Sequence, residues 1–220
     1  MGGISKAPFD GFNLGVHVGD SPDSVGINRE MLSRHLPSKP YWLNQVHGVD
    51  VIEVGESVQS TPSADGSYTN KKHQVCCVMT ADCLPVLFCN SQGTQVAAIH
   101  AGWRGLLDGI LEVAINKFHP NDRVYAYLGP AIGPSSFEVG EEVKEAFINT
   151  DSGVHVAFQP SVVPRKWLAD LYELARSRLK SVGVTDVYGG EYCTFIEAER
   201  FFSYRRDGQT GRMASCIWIE

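Results

Sequence analysis

The stretch Gln95-Val96-Ala97-Ala98-Ile99-His100-Ala101-Gly102-Trp103-Arg104-Gly105 decides the fold. An apolar, β-like run ends at Ile99, crosses two glycines, and enters Leu106–Phe118, whose apolar residues recur at helical spacing. Immediately upstream, Val75–Met79 and Pro85–Cys89 are further β-like runs, and Ser91-Gln92-Gly93 makes a turn before Gln95–Ile99. Downstream, Val124–Leu128 is a strand ending in Gly129-Pro130, and Glu141–Ile148 a short helix. Lys166–Leu179 reads as a longer helix, with Trp167, Leu168, Leu171, Leu174, Ala175 and Leu179 on one face and Gly183 as its stop. Toward the start lie a strand at Leu14–Val18 and a helix with Ser21 as N-cap and Pro22 in its first turn. That helix runs through Val25, Met31 and Leu32 and ends before Pro37 and Pro40. Tyr41–Val46 and Val51–Val54 read as strands around a Val46-His47-Gly48 bend, and Gly55–Lys72, with Ala64-Asp65-Gly66, as a loop or hairpin end. Arg212–Ile219 is the final strand. Several strands lie too close in sequence for parallel crossovers. The expected fold is therefore α/β (α+β): a layered α-β-α single domain over residues 1–220 with a mixed β-sheet.

Composition narrows the function classes. The 220 residues are 43% hydrophobic and 20% charged, as in an ordinary globular protein. Lys plus Arg number 19 against 25 Asp plus Glu, a formal charge of -6, which argues against a duplex nucleic-acid binder. Any anionic ligand must then be held by a local group of donors. No run of 18 apolar residues exists, so no membrane span is expected. The first residues lack an apolar signal region, and the six cysteines show no disulfide-type spacing. Reduced thiols and a cytoplasmic location follow as expectations.

Reactive side chains gather with Gly or Pro at strand ends in four segments: Asn44–Gly48, Thr80–Pro85, Ile99–Gly105 and Leu128–Pro134. His47, Cys83 and His100 together offer two imidazoles and a thiolate, the donor types of a catalytic zinc site with an open fourth position. Their separations, 36 and 17 residues, follow no local finger pattern, and each residue taken alone fits a structural or packing role better than a ligand role. The same residues permit a Cys83–His100 nucleophile pair with Asp82 as orienter, although that leaves His47 without a task.

These segments, with Phe202–Gly208 and Gly211–Ser215, closely resemble the YfiH-like family, whose members carry the labels polyphenol oxidase, laccase-like protein and purine nucleoside phosphorylase. The resemblance runs from Gly2-Gly3-Ile4-Ser5 through Asn13-Leu14-Gly15 and Gly19-Asp20 to the C-terminus. It implies that His47, Cys83 and His100 are zinc ligands. It further implies phosphorolysis of adenosine, inosine and methylthioadenosine to free base and ribose 1-phosphate, with some adenosine deamination. The expected partners are then a purine nucleoside and phosphate. For the phosphate, Arg104 at the glycine-rich strand-to-helix turn is the candidate, with Arg205 and Arg206 behind it. Trp103 fits a core position better than a purine-stacking one.

Two other readings stay open. A copper-dependent polyphenol oxidase resembling true laccases needs about ten histidine ligands, many in His-x-His pairs. The chain has seven histidines and no such pair, though copper can replace zinc at a single His-Cys-His site. A non-enzymatic metal-binding accessory protein would use the same three donors. Deamination lacks the His-x-Glu and Pro-Cys-x-x-Cys signature, which leaves Asp82 as its candidate acid/base.

Overall fold

The computed structural model describes residues 2–55 and 61–220. Along the chain come α1 (Pro22–Ser33), β1 (Val51–Glu53), β2 (Gly66–Thr69), β3 (Cys76–Thr80), β4 (Leu84–Asn90), β5 (Val96–Ala101), α2 (Trp103–Asp108), α3 (Ile110–Ile115) and β6 (Val124–Leu128). Then follow β7 (Glu138–Gly140), α4 (Glu141–Thr150), β8 (Phe158–Pro160), β9 (Lys166–Ala169), α5 (Leu171–Ser181), β10 (Asp186–Gly189), α6 (Tyr204–Asp207) and β11 (Met213–Ile217). The main sheet has six strands in the order β1-β2-β5-β4-β6-β10. Its inner pairs are antiparallel and its two outer pairs parallel, so the sheet is mixed as expected.

Every residue of β5 is buried, because both faces of the sheet are covered. Period-two alternation sorts its side chains. Ala97, Ile99 and Ala101 join Val86 and Phe88 of β4 in the larger core, under Leu106, Ile110 and Leu111 of the helices and Leu174 and Leu179 of α5. Ala98 and Val96 face the other way, into a smaller core with Cys76 and Val78 of β3 and Leu43. That second face is covered by the antiparallel ribbon β3–β11, in which Met213 pairs with Thr80 and Ile217 with Cys76. Beyond the ribbon lies α1, where Arg29 Nη2 sits 3.7 Å from Met79 Sδ. Helices thus cover one face of the main sheet and the ribbon the other, where α1 touches the ribbon through Arg29. A separate three-stranded sheet, β7-β9-β8, flanks α4.

Several expected elements differ for identifiable reasons. Leu14–Val18 is not a strand; Leu14 donates its N–H to the Arg212 carbonyl, and the chain then turns toward α1. Tyr41–Val46 forms only single bridges, Tyr41 to Cys76 and Asn44 to Ser63. The polar Gly55–Lys72 stretch, of which residues 56–60 lie outside the described residues, contains the strand β2, whose buried Ser67 and Thr69 hide it from an apolar pattern. Leu106–Phe118 is broken at Gly109, whose φ of +96° ends α2 and starts α3. In Lys166–Leu179 the first four residues are β9; Asp170 accepts from the N–H groups of Tyr172 and Glu173 and starts α5 only there. Helix-period spacing from Trp167 and Leu168 arose by coincidence between two elements. Gly183 does follow that helix, at φ +82°.

Candidate metal centre

Three chain junctions deliver the three expected donors. His100 is the penultimate residue of β5, on the ribbon-facing side with Ala98. Cys83 follows the Ala81-Asp82 turn where the chain leaves the ribbon and enters β4. His47 sits in the bend before β1. Their ligand atoms lie within 4.8 Å of one another, and among the described residues no other group of three His, Cys, Asp or Glu could hold a metal ion. Cys83 Sγ is 3.9 Å from His47 Nε2, and the two imidazoles meet edge to face with centroids 4.8 Å apart. His100 is buried, Cys83 half-buried and His47 exposed, so the cluster opens to solvent on the His47 side.

The residue that builds this geometry is Asp65, which is fully buried at the entry to β2. Its Oδ1 lies 2.8 Å from His100 Nδ1. The same carboxylate accepts the consecutive N–H groups of Val46, His47 and Gly48 at 3.1, 2.9 and 2.7 Å. One side chain therefore fixes both the orientation of the His100 ring and the bend that carries His47. With Nδ1 donating to Asp65, Nε2 of His100 is the nitrogen left available to a metal ion. Burial alone would raise the Asp65 carboxyl, but the hydrogen bond from His100 and the N–H groups outweigh it and hold it below the ordinary value. Burial likewise works against the Cys83 thiolate, yet the His100 and His47 rings pull the thiol down to about 6. His100, opposed by burial but supported by Cys83 and Asp65, rises to about 9. A thiolate is the form that binds metals.

Two further contacts lock the donors. The Gln45 side chain donates to the Met79 carbonyl and accepts from its N–H, both at 2.7 Å, stitching the His47 bend to β3. Asp82, at φ +87°, gives one oxygen to Thr194 Oγ1 and the other to the Arg205 N–H, both at 2.6 Å. Both of its oxygens are thus engaged away from the imidazoles, and the carboxylate that orients His100 is Asp65, not Asp82. His47 too lies in the left-handed region, at φ +61°. Such residues cost about 1–3 kcal/mol each and persist only where their surroundings hold them.

Gly102 packs against all three donors. A Cβ there would stand 2.9 Å from His47 Cδ2, 3.3 Å from Cys83 Sγ and 3.6 Å from His100 Cε1. Its φ of -64° suits any residue, so the close approach is what requires glycine. Gly102→Ala is expected to keep the fold but to push His47 aside, weakening zinc binding by roughly tenfold or more. Equilibrium dialysis of the variant, with circular dichroism as the folding control, measures this. Unchanged zinc affinity would mean that His47 is not a ligand.

The donors share a cavity of about 460 Å³ with His17, Gln45, Met79, Thr80, Tyr204 and Arg212, and no carboxylate among the described residues lines it. Arg104 is not part of that wall: it is exposed and lies over the Trp103 ring, 4.4 Å from the centroid. Trp103 is half-buried against the larger core. Arg205 and Arg206 are occupied structurally, Arg205 by the Glu138 carbonyl and Arg206 by Asp207 and the carbonyls of Thr194, Phe195 and Phe201. In Leu128–Pro134, Pro130 lines a different, apolar cavity beside Phe201 and Phe202. Sequence reasoning missed Asp65 because Ala64-Asp65-Gly66 reads as a turn, and it passed over His17 and Arg212, which carry no spacing signal.

A family model described as multi-copper polyphenol oxidoreductase laccase matches residues 1–220. The purine nucleoside phosphorylase YfiH of Escherichia coli (strain K12) is 54% identical over 222 residues, covering 100% of this chain and 90% of that protein. The crystal structure of Neisseria meningitidis protein NMB0706 superposes with a TM-score of 0.94 at 49% identity, covering 100% of this chain and 91% of that one. YlmD from Geobacillus stearothermophilus, 32% identical, does so with a TM-score of 0.86, covering 100% and 89%. No helix among the described residues is long and apolar enough to cross a membrane. Agreement in sequence, extent and fold places this chain in the laccase-like YfiH family.

Proposed function

We propose that the protein is a zinc-dependent purine nucleoside phosphorylase, acting on adenosine, inosine or methylthioadenosine with phosphate, as a single domain in the cytoplasm. The observation that carries this reading is the convergence of His47, Cys83 and His100 on one cavity with an open side. The name of the Escherichia coli relative supplies the reaction class. Two imidazoles and a thiolate suit zinc, with His47, Cys83 and His100 as its ligands. Bound there, zinc would supply Lewis acidity beside the reacting bond.

The chain's own residues do the rest. Asp65 holds His100 in one tautomer and the His47 bend in one conformation, so the donors need little rearrangement. Among the described residues the wall holds no carboxylate, so its anionic group is the Cys83 thiolate, whose charge a bound cation would offset. The same wall limits deamination, which we retain as a side activity: its acid/base would have to be His17 or Tyr204, because Asp82 is engaged elsewhere.

Copper at the same three donors is the second reading, supported by the family description. All seven histidines lie among the described residues, and only two of them join the cluster. A multi-copper centre does not fit that donor count; a single copper does. The third reading, a Cys83–His100 nucleophile pair, gains an orienter in Asp65 but still leaves His47 unused. Incubating zinc-loaded protein with adenosine and phosphate is expected to release adenine and ribose 1-phosphate. Absence of phosphate-dependent adenine release would overturn the phosphorylase reading. Oxygen consumption on phenols that requires copper would replace it with the oxidase.

A further inference from the structure

Arg212 is a half-buried guanidinium that lines the donor cavity and, among the described residues, forms no ion pair. In an acidic chain with 25 carboxylates, such a group stands out, since a charge removed from water is ordinarily paired. Its contacts are positional. Nη1 donates to the carbonyls of Thr210 and Gly211. The Arg212 N–H donates to Asn13 Oδ1, which also takes the Gly15 N–H, and the Arg212 carbonyl accepts from Leu14. Gly15 leaves room for the stem: a Cβ there would stand 2.8 Å from Arg212 Cγ. The buried Asn13 and the segment it clamps thus hold the arginine in place while Nε and Nη2 carry no acceptor among the described residues.

Two other basic side chains stand nearby, His17 and Arg29. His17 lines the same cavity. Arg29 stands behind Met79, bound to the Leu14 carbonyl and stacked over Trp42, and forms no ion pair among the described residues. Partial burial, then Arg212 and Arg29, hold His17 below its ordinary value. The anionic groups acting on Arg212 are the Cys83 thiolate, which belongs to the donor cluster, and Asp82, whose oxygens are satisfied by Thr194 and the Arg205 N–H.

We propose that Arg212, with His17 beside it, is the seat of the orthophosphate dianion in the cavity of the three metal donors. The identity of the anion rests on the phosphorylase reading; the existence of the subsite rests on the unpaired arginine. A guanidinium whose Nε–Nη2 edge is free among the described residues matches two phosphate oxygens in a fork, which an ammonium does not. The phosphate then sits at Arg212 in the donor cavity and not at the exposed Arg104, which is outside that cavity's lining.

The test is direct binding of inorganic phosphate to the zinc-loaded protein by calorimetry, for the wild type and for Arg212→Met, Arg212→Lys, Arg104→Met and Arg165→Met. Zinc content and thermal melting serve as folding controls. Arg212→Met is expected to weaken phosphate binding roughly tenfold or more, Arg212→Lys to restore part of it, and the exposed Arg165→Met to change nothing. Full phosphate affinity in folded Arg212→Met overturns the proposal, as does a loss confined to Arg104→Met or a wild type that binds no phosphate. Adenosine monophosphate is the second probe. If it binds ten times more tightly than orthophosphate, and through Arg212, the subsite serves a nucleotide's own phosphate and the orthophosphate assignment falls. Should wild-type protein bind phosphate through Arg212 yet release no adenine, the subsite stands and the phosphorylase reading alone fails.

Discussion

Cys83→Ala is expected to abolish stoichiometric zinc binding while leaving the fold intact. Structural zinc sites with four protein ligands bind with about 10–16 kcal/mol, or about 2.5–4 kcal/mol per donor. Losing one of three donors should therefore weaken zinc by roughly a hundred- to a thousandfold. Fold should survive because Cys83 lies at a half-buried turn and the core below it is formed by Leu84, Val86 and Phe88. The measurement is zinc content by atomic spectroscopy after dialysis against a weak chelator, with adenine release assayed in parallel. Zinc retained at one per chain would remove Cys83 from the ligand set. Zinc lost with phosphorolysis intact would separate the metal from the reaction and return the nucleophile and accessory readings to consideration.

Asp65→Asn carries the second large effect, and it acts on two donors together. The amide keeps the size of the carboxylate but turns one acceptor into an N–H donor, facing either the His100 ring or the N–H groups of Val46, His47 and Gly48. At least one buried donor then meets another donor, at a cost of about 1–3 kcal/mol. The imidazole also loses the partner that sets its tautomer, and such losses weaken metal binding by about 10- to 100-fold. Zinc affinity and melting temperature are both expected to fall. His100 is expected to ionise at lower pH in the metal-free variant, since Asp65 supports its charge. A variant with wild-type zinc affinity and an unmoved His100 titration would show that Asp65 only braces the bend.

Much of this was legible in the chain. The strands from β3 to β6 are apolar runs bounded by turns, and period-two alternation places them correctly whichever core they face. α1 announced itself through Ser21 and Pro22. The failures share a cause: tertiary surroundings overruled a local pattern. β2 is polar because its hydroxyls are buried in the sheet. β9 and α5 read as one helix because Trp167 and Leu168 happen to continue the apolar stripe of Leu171 and Leu174. For the site, residue type and family motif picked out His47, Cys83 and His100, which the fold brings together. Their supports, Asp65 and Gln45, act through backbone groups, a role that leaves no spacing in the sequence. Arg104, in the first turn of α2 beside its glycines, is exposed over the Trp103 ring and outside the donor cavity's lining.

The three donors come from three junctions separated by 36 and 17 residues, so the unfolded chain holds them apart. An ion that recognises all three binds the native state and scarcely touches the denatured one. By mass action its occupancy then adds to the free energy of unfolding, increasingly so as free ion rises above the dissociation constant. Loading and conformational stability are thus linked quantities in this protein, and scarcity of the ion would register as a lower melting point as well as an idle cavity.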